Sequence, residues 1–134
     1  MINLDTNTAI AFIAEGSTVR HQLQEFVNDR QMLMTQTAFD EFMNIVQRSG
    51  GESEQARANR FLQRVIIVPD APSTAALTLQ PTRSLDVNDI IILGTGDRLG
   101  VVTMTADARA IRAASAQGVS FAVYLHPPYP LIGS

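Results

Sequence analysis

Asp5, Glu41, Asp89 and Asp107 are spread over most of the chain, yet each stands beside a predicted strand end or on the helix that follows one. If the strands form one parallel sheet, these four carboxylates can converge on a single pocket, since open α/β sheets gather their ligands at the carboxyl ends of their strands. A pocket lined by carboxylate oxygens suits hard cations, Mg²⁺ or Mn²⁺, better than zinc or copper. Such an ion polarises a phosphodiester and lowers the pKa of bound water, and two ions roughly 3.5–4 Å apart stabilise both attacking and leaving oxygens. One ion and two ions both remain open at this level.

Each acid also has a plain structural reading. Asp5 closes the apolar run Met1-Ile2-Asn3-Leu4, and Asp107 lies beyond Thr105 after the run Val101-Val102-Thr103-Met104. An Asp in either place can simply cap the next helix, where its charge suits the helix dipole. Glu41, flanked by Ala38 and Ile45, is off the centre of its helix's apolar stripe, so it either reaches a pocket mouth or is an ordinary boundary residue. Asp89 competes with Asp86 on the same predicted helix face, and Asp86 can serve as the cap.

The elements that must position these residues alternate between strand and helix. The patterns predict strands at 2–5, 32–35, 65–68, 101–104 and 120–124. Helices are predicted at 7–14, 18–29, 37–48, 53–63, near 73–79, near 87–97 and at 107–117. Val19, Leu23, Phe26 and Val27, and again Phe39, Phe42, Met43 and Val46, follow amphipathic helical spacing. The alternation implies right-handed crossovers and a parallel sheet covered on both faces. Within 87–97, Ile90-Ile91-Ile92-Leu93 reads equally as a buried strand, and Gly94 and Gly96 each cost a helix ~1 kcal/mol relative to Ala. The proline-rich tail His126-Pro127-Pro128-Tyr129-Pro130 is expected to be extended, covering a sheet edge or meeting a partner.

The segments LDTNTAIAFI, TAFDEFMNIV, LDVNDIIILGTG and TMTADARAI, in that order, together resemble the PIN-domain ribonucleases. Each motif is short, so the specificity lies in their order and spacing. The resemblance implies a three-layer α/β/α sandwich with a mostly parallel central sheet of about five strands, one PIN-like domain over residues 1–134. It implies that Asp5, Glu41, Asp89 and Asp107 are the catalytic, metal-holding acids, with Asn7 and Thr105 as polar supports. It favours Asp89 over Asp86, and a helix over 87–97 with its glycines in close-packing slots. The implied activity is metal-dependent endoribonucleolytic hydrolysis of RNA, using one or two Mg²⁺ or Mn²⁺ ions. That activity is similar to the toxins of bacterial toxin-antitoxin pairs, which brings an antitoxin protein and a homodimer as expected partners. LDTNT also resembles the strand-end nucleophile motif of haloacid-dehalogenase phosphatases, but Asn7 stands where a second Asp is needed. A third reading is a non-catalytic PIN-like module that binds RNA or protein.

Composition narrows the field. At 134 residues the chain suffices for one domain with its own core. With 46% hydrophobic and 17% charged residues it is expected to be compact rather than disordered. No stretch reaches the roughly 18–20 apolar residues of a membrane span. The first strand begins at Ile2, leaving no room for a signal peptide, so a cytoplasmic location is expected. The absence of Cys fits a reducing compartment and excludes thiol catalysis and cysteine-bound zinc. All ten basic residues are Arg, which excludes Schiff-base lysines, the phosphate-loop lysine and the lysine of receiver domains.

The net charge of −3 and pI near 5.2 argue against a general nucleic-acid binder. A nuclease that gathers carboxylates can still be acidic overall, because bound metal neutralises its centre. Arg109 and Arg112, close behind Asp107, are the nearest candidates for RNA contact. Arg57, Arg60 and Arg64 lie at i, i+3 and i+7, one helical face that either meets a phosphate backbone or is merely solvated. His21 and His126 carry no visible pairing, while Tyr124 and Tyr129 either stack on bases or pack against the protein.

Overall fold

A computed structural model describes residues 1–134. Five strands, β1 (Ile2–Leu4), β2 (Met32–Thr35), β3 (Val65–Val68), β4 (Val102–Thr105) and β5 (Val123–Leu125), form one sheet in the order β3-β2-β1-β4-β5. Every neighbouring pair is parallel, so the expected mostly parallel sheet is wholly so. The connections carry α1 (Thr6–Ile13), α2 (Arg20–Val27), α3 (Gln36–Ser49), α4 (Glu52–Leu62), α5 (Thr74–Leu77), α6 (Val87–Leu99) and α7 (Ala108–Ala116). Right-handed crossovers place α1–α4 on one face and α5–α7 on the other. Two apolar clusters match that division: Ile2, Leu4, Leu23, Phe42 and Phe61 belong to one, and Leu79, Leu85, Ile90, Leu93 and Phe121 to the other.

The strand order reverses at β1, which has β2 on one side and β4 on the other. A crevice therefore opens beyond the carboxyl ends of β1 and β4, the place where open α/β sheets bind ligands. The turns that leave those strands are built by side chains which start the next helix. Asp5 accepts from Thr8 N to cap α1, Thr35 from Ala38 N to cap α3, and Asp107 from Ala110 N to cap α7. A carboxylate capping a helix that leaves a parallel strand is thereby held at the crevice.

Residues 87–99 are helical despite both glycines, and packing explains why. A Cβ on Gly94 would come within 2.5 Å of Ala76 Cβ and 2.8 Å of Pro72 Cβ. A Cβ on Gly96 would collide with Thr103 Oγ1 and approach Asn3 Nδ2 to 2.8 Å. Fully buried Asn3 uses that amide to donate to Ile92 O at 3.1 Å and Thr103 Oγ1 at 3.0 Å, pinning α6 across β1 and β4. The helix is thus set by tertiary contacts that override its glycine content.

The last strand differs from expectation. Pairing with β4 begins only at Val123, not at residue 120, because Val119 and Phe121 are first drawn into the core beside Ala110 and Ala114. The tail beyond it has no regular structure and, rather than covering a sheet edge, crosses to α4. There the buried Glu54 carboxylate accepts backbone N–H bonds from Glu15, Gly51, Ile132, Gly133 and Ser134 at 2.9–3.2 Å. Burial pushes the Glu54 pKa up, but these N–H groups outweigh it and hold the carboxyl below its ordinary value. Its stabilising contribution is therefore present above the ordinary glutamate range and lost as pH falls through the lowered value. Glu54→Gln keeps the shape but turns one acceptor into a donor facing N–H groups, so it is expected to lower stability by about 2 kcal/mol. Limited proteolysis should then cut the tail first, and an unchanged melting temperature with an uncut tail would contradict this role.

Candidate active site

The four predicted acids line one cavity of about 410 Å³ at the mouth of the crevice. Asp5 and Asp107 come from the ends of β1 and β4, Glu41 from α3 and Asp89 from the first turn of α6. Asn7 and Arg109 also line the cavity, whereas Thr105 is buried behind it and accepts from Asp107 N at 3.0 Å. Arg112 lies outside this cavity, in an adjoining groove shared with Arg83, Ser84 and Arg109.

Asp86 and Asp89 stand as a pair at the start of α6. Asp86 caps α6 by accepting from Asp89 N at 2.8 Å, Asp89 accepts from Asp86 N at 3.0 Å, and both line the cavity. Capping and cavity lining are thus combined in the same residues rather than exclusive. In this arrangement the carboxylates face one space without three of them closing on a common point. Their oxygens are held instead by N–H groups and by side chains around the rim.

Glu41 is the most firmly oriented. Thr6 Oγ1 donates to Glu41 Oε1 at 2.6 Å and Asn88 Nδ2 to Glu41 Oε2 at 2.9 Å, so α1, α3 and α6 are tied together at this residue. Neither Thr6 nor Asn88 stood out in the sequence, although Asn88 is adjacent to Asp89. Arg83 was also missed. It sits in a tight turn closed by Thr82 N to Leu85 O at 2.8 Å and anchored by the fully buried Leu85, which brings it to the cavity alongside Arg109. The acidic floor thus has a basic rim.

The electrostatics reflect crowding. Burial pushes the Asp5 carboxyl above its ordinary range, partly offset by contacts with Thr105 and Thr8. Burial, and then the nearby charges of Asp86 and Asp107, push Asp89 to about 7. A group of acids that resists full ionisation is a set of hard oxygen donors lacking countercharge, and a divalent cation supplies that countercharge. On donor chemistry the residues fit Mg²⁺ or Mn²⁺.

The Asp89 shift has a definite sign. Between the ordinary value of 3.8 and about 7 the unfolded chain ionises this group while the folded chain keeps it protonated. Its contribution to stability is therefore complete below the ordinary value and is lost as pH rises to about 7. In chelator, the unfolding free energy of the protein minus that of Asp89→Asn is expected to fall across that window. A difference that is flat with pH in denaturant titrations would contradict the assignment.

Residues 8–133 match the sequence model of a family described as "Protein of unknown function (DUF1308)". The fold is similar to VapBC2 from Rickettsia felis bound to a DNA fragment from its promoter, with 17% identity, a TM-score of 0.62, and coverage of 84% of this chain and 93% of that one. It is similar to Mycobacterium tuberculosis VapC20, described as a sarcin-ricin loop cleaving toxin, with 16% identity, a TM-score of 0.59, and coverage of 88% and 95%. FitAB bound to a DNA fragment gives 16% identity, a TM-score of 0.60, and coverage of 96% and 99%. At such identities the likeness establishes the fold, an α/β sandwich of the PIN type.

Proposed function

The chain belongs to the DUF1308 family, and from its fold and its carboxylate cavity we propose that it is a divalent-metal-dependent endoribonuclease, the toxin of a toxin-antitoxin pair. The observation that carries the reading is the meeting of Asp5, Glu41, Asp89 and Asp107 in one cavity at the switch point of the sheet. VapC20, described as cleaving the sarcin-ricin loop, shares that fold and supports RNA as the substrate. By the same likeness, an antitoxin protein and a second copy of this chain are the proposed partners. No helix is long and apolar enough to cross a membrane.

Asp5, Glu41, Asp89 and Asp107 would hold one or two Mg²⁺ or Mn²⁺ ions. A metal held there would supply Lewis-acid polarisation of a phosphodiester and a lowered pKa for a bound water. The chain's own contributions are positional. Thr6 and Asn88 fix both oxygens of Glu41, and Thr105 fixes the turn carrying Asp107. Arg83 and Arg109 face the same cavity and can bind phosphates flanking the scissile bond, with Arg112 extending the track outward. An acidic floor beside a basic rim suits a polyanionic substrate.

One observation favours a second reading. Asp5 and Asp107 cap α1 and α7, and Asp89 completes the capping box that Asp86 opens on α6, roles a PIN-like module without catalysis would also require. The two readings separate when purified protein is incubated with mixed RNA in Mg²⁺, in Mn²⁺ and in chelator. Internal cleavage in either metal and none in chelator supports the nuclease. Metal binding without turnover on any RNA selects the module.

A further inference from the structure

Four of the ten arginines gather away from the carboxylate cavity. Arg20, Arg57, Arg60 and Arg64 line a separate cavity of about 540 Å³, within the roughly 300–1,000 Å³ range of small-molecule sites. It lies at the opposite end of the sheet, since Met32, which opens β2, and Arg64, which precedes β3, are both in its wall. Phe12 and Phe61, stacked with ring centroids 5.1 Å apart, supply an apolar floor. No carboxylate lines it.

The charges there are assembled rather than scattered. Arg20 donates to the carbonyls of Phe12 and Ala14, and Arg57 to Ile13 O at 3.0 Å, so the carboxyl end of α1 holds two guanidinium groups side by side. Burial, and then the adjacent Arg57, pull the Arg20 pKa below its ordinary value. Arg57 has one counter-ion, Glu15 at 3.1 Å, while Arg60 and Arg64 are exposed and form no salt bridge. On the rim, Asn28 has φ of 53° and ψ of −124°, and Arg30 N bonds to Val27 O at 3.0 Å across it. That is the turn position glycine normally takes, and such backbone outliers concentrate at ligand sites.

We propose that this cavity binds a phosphate-bearing ligand of nucleotide size, such as a nucleoside diphosphate, independently of the carboxylate pocket. Guanidinium forks match phosphate oxygens in pairs, and a bound diphosphate neutralises like charges that otherwise repel one another. The apolar floor accommodates the less polar part of the ligand, and the amides of Gln24, Asn28 and Gln63 stand at its edge. A free nucleotide and the 5′-phosphate end of an RNA share this chemistry.

The test is calorimetric titration in chelator, which silences metal-mediated binding at the acidic pocket. The probes are inorganic pyrophosphate, ADP, short RNAs with 5′-phosphate or 5′-hydroxyl ends, and an oligoglutamate peptide. Pyrophosphate and ADP are expected to bind, at least tenfold more weakly to Arg60→Ala/Arg64→Ala and equally well to Asp5→Asn. Both replaced arginines are exposed, so the double variant should fold, as its melting temperature will verify. Preference for 5′-phosphate over 5′-hydroxyl RNA supports the same site with an RNA end as the source. The proposal is overturned by no phosphate binding at millimolar concentration, by binding indifferent to the double substitution, by loss of binding in Asp5→Asn, or by oligoglutamate binding where pyrophosphate does not. None of these results depends on whether the acidic pocket cuts RNA.

Discussion

Replacing Asp5 by Asn is expected to lower RNA cleavage by at least about 100-fold, the kinetic equivalent of roughly 2.7 kcal/mol, while the protein remains folded. Asp5 stands at the carboxyl end of β1, its Oδ1 accepting from Thr8 N at 2.8 Å and its backbone N–H donating to Met104 O at 3.1 Å. Asn caps helices as well as Asp does, so α1 should keep its start. On the proposed function, what the substitution removes is the negative charge of an acid at the cavity. Glu41→Gln should act in the same direction, because Thr6 and Asn88 still hold the side chain in place. Turnover of purified Asp5→Asn within a few-fold of the unmodified protein, on the same RNA and at saturating Mn²⁺, would remove Asp5 from the reaction.

Divalent metal should also raise the melting temperature. An ion that binds only the folded state stabilises it by RT ln(1 + [L]/Kd), about 2.7 kcal/mol at 100 Kd, which for a domain of this size is a shift on the order of 10 °C. Asp5→Asn/Asp107→Asn should erase that shift. The same double substitution is expected to leave the metal-free melting temperature unchanged or raise it, because it removes the buried Asp5 charge and the Asp107 charge that, after burial and Asp86, helps push Asp89 to about 7. A double variant that retains the full metal-dependent rise would place the stabilising ion elsewhere.

These expectations draw unequally on sequence and structure. Strands β1, β2 and β4 were legible because each is a short apolar run followed by a polar residue that caps the next helix, and parallel pairing then carries Asp5 and Asp107 to one edge. The helix at α6 was not legible from periodicity, since Ile90 to Leu93 is apolar all round and its glycines disfavour a helix. Its reason lies in Asn3, Thr103, Pro72 and Ala76, which are distant in sequence. Arg83 escaped notice because a tight turn and buried Leu85, rather than any helical spacing, aim it at the cavity. Glu54 gave no signal in the sequence, because three of its five N–H partners lie 78 to 80 residues away. Local signals thus locate the acids, while the groups that orient them are fixed by long-range contacts.

If Asp5, Glu41, Asp89 and Asp107 form a divalent-metal centre, crystals soaked in Mn²⁺ will reveal it without reference to any RNA. Anomalous diffraction should place one or two Mn²⁺ ions in the cavity, with Asp5 and at least one of Glu41, Asp89 and Asp107 at coordination distance. Soaking at millimolar Mn²⁺ that leaves the cavity without an anomalous peak, or puts the only ion beyond reach of Asp5, would contradict it.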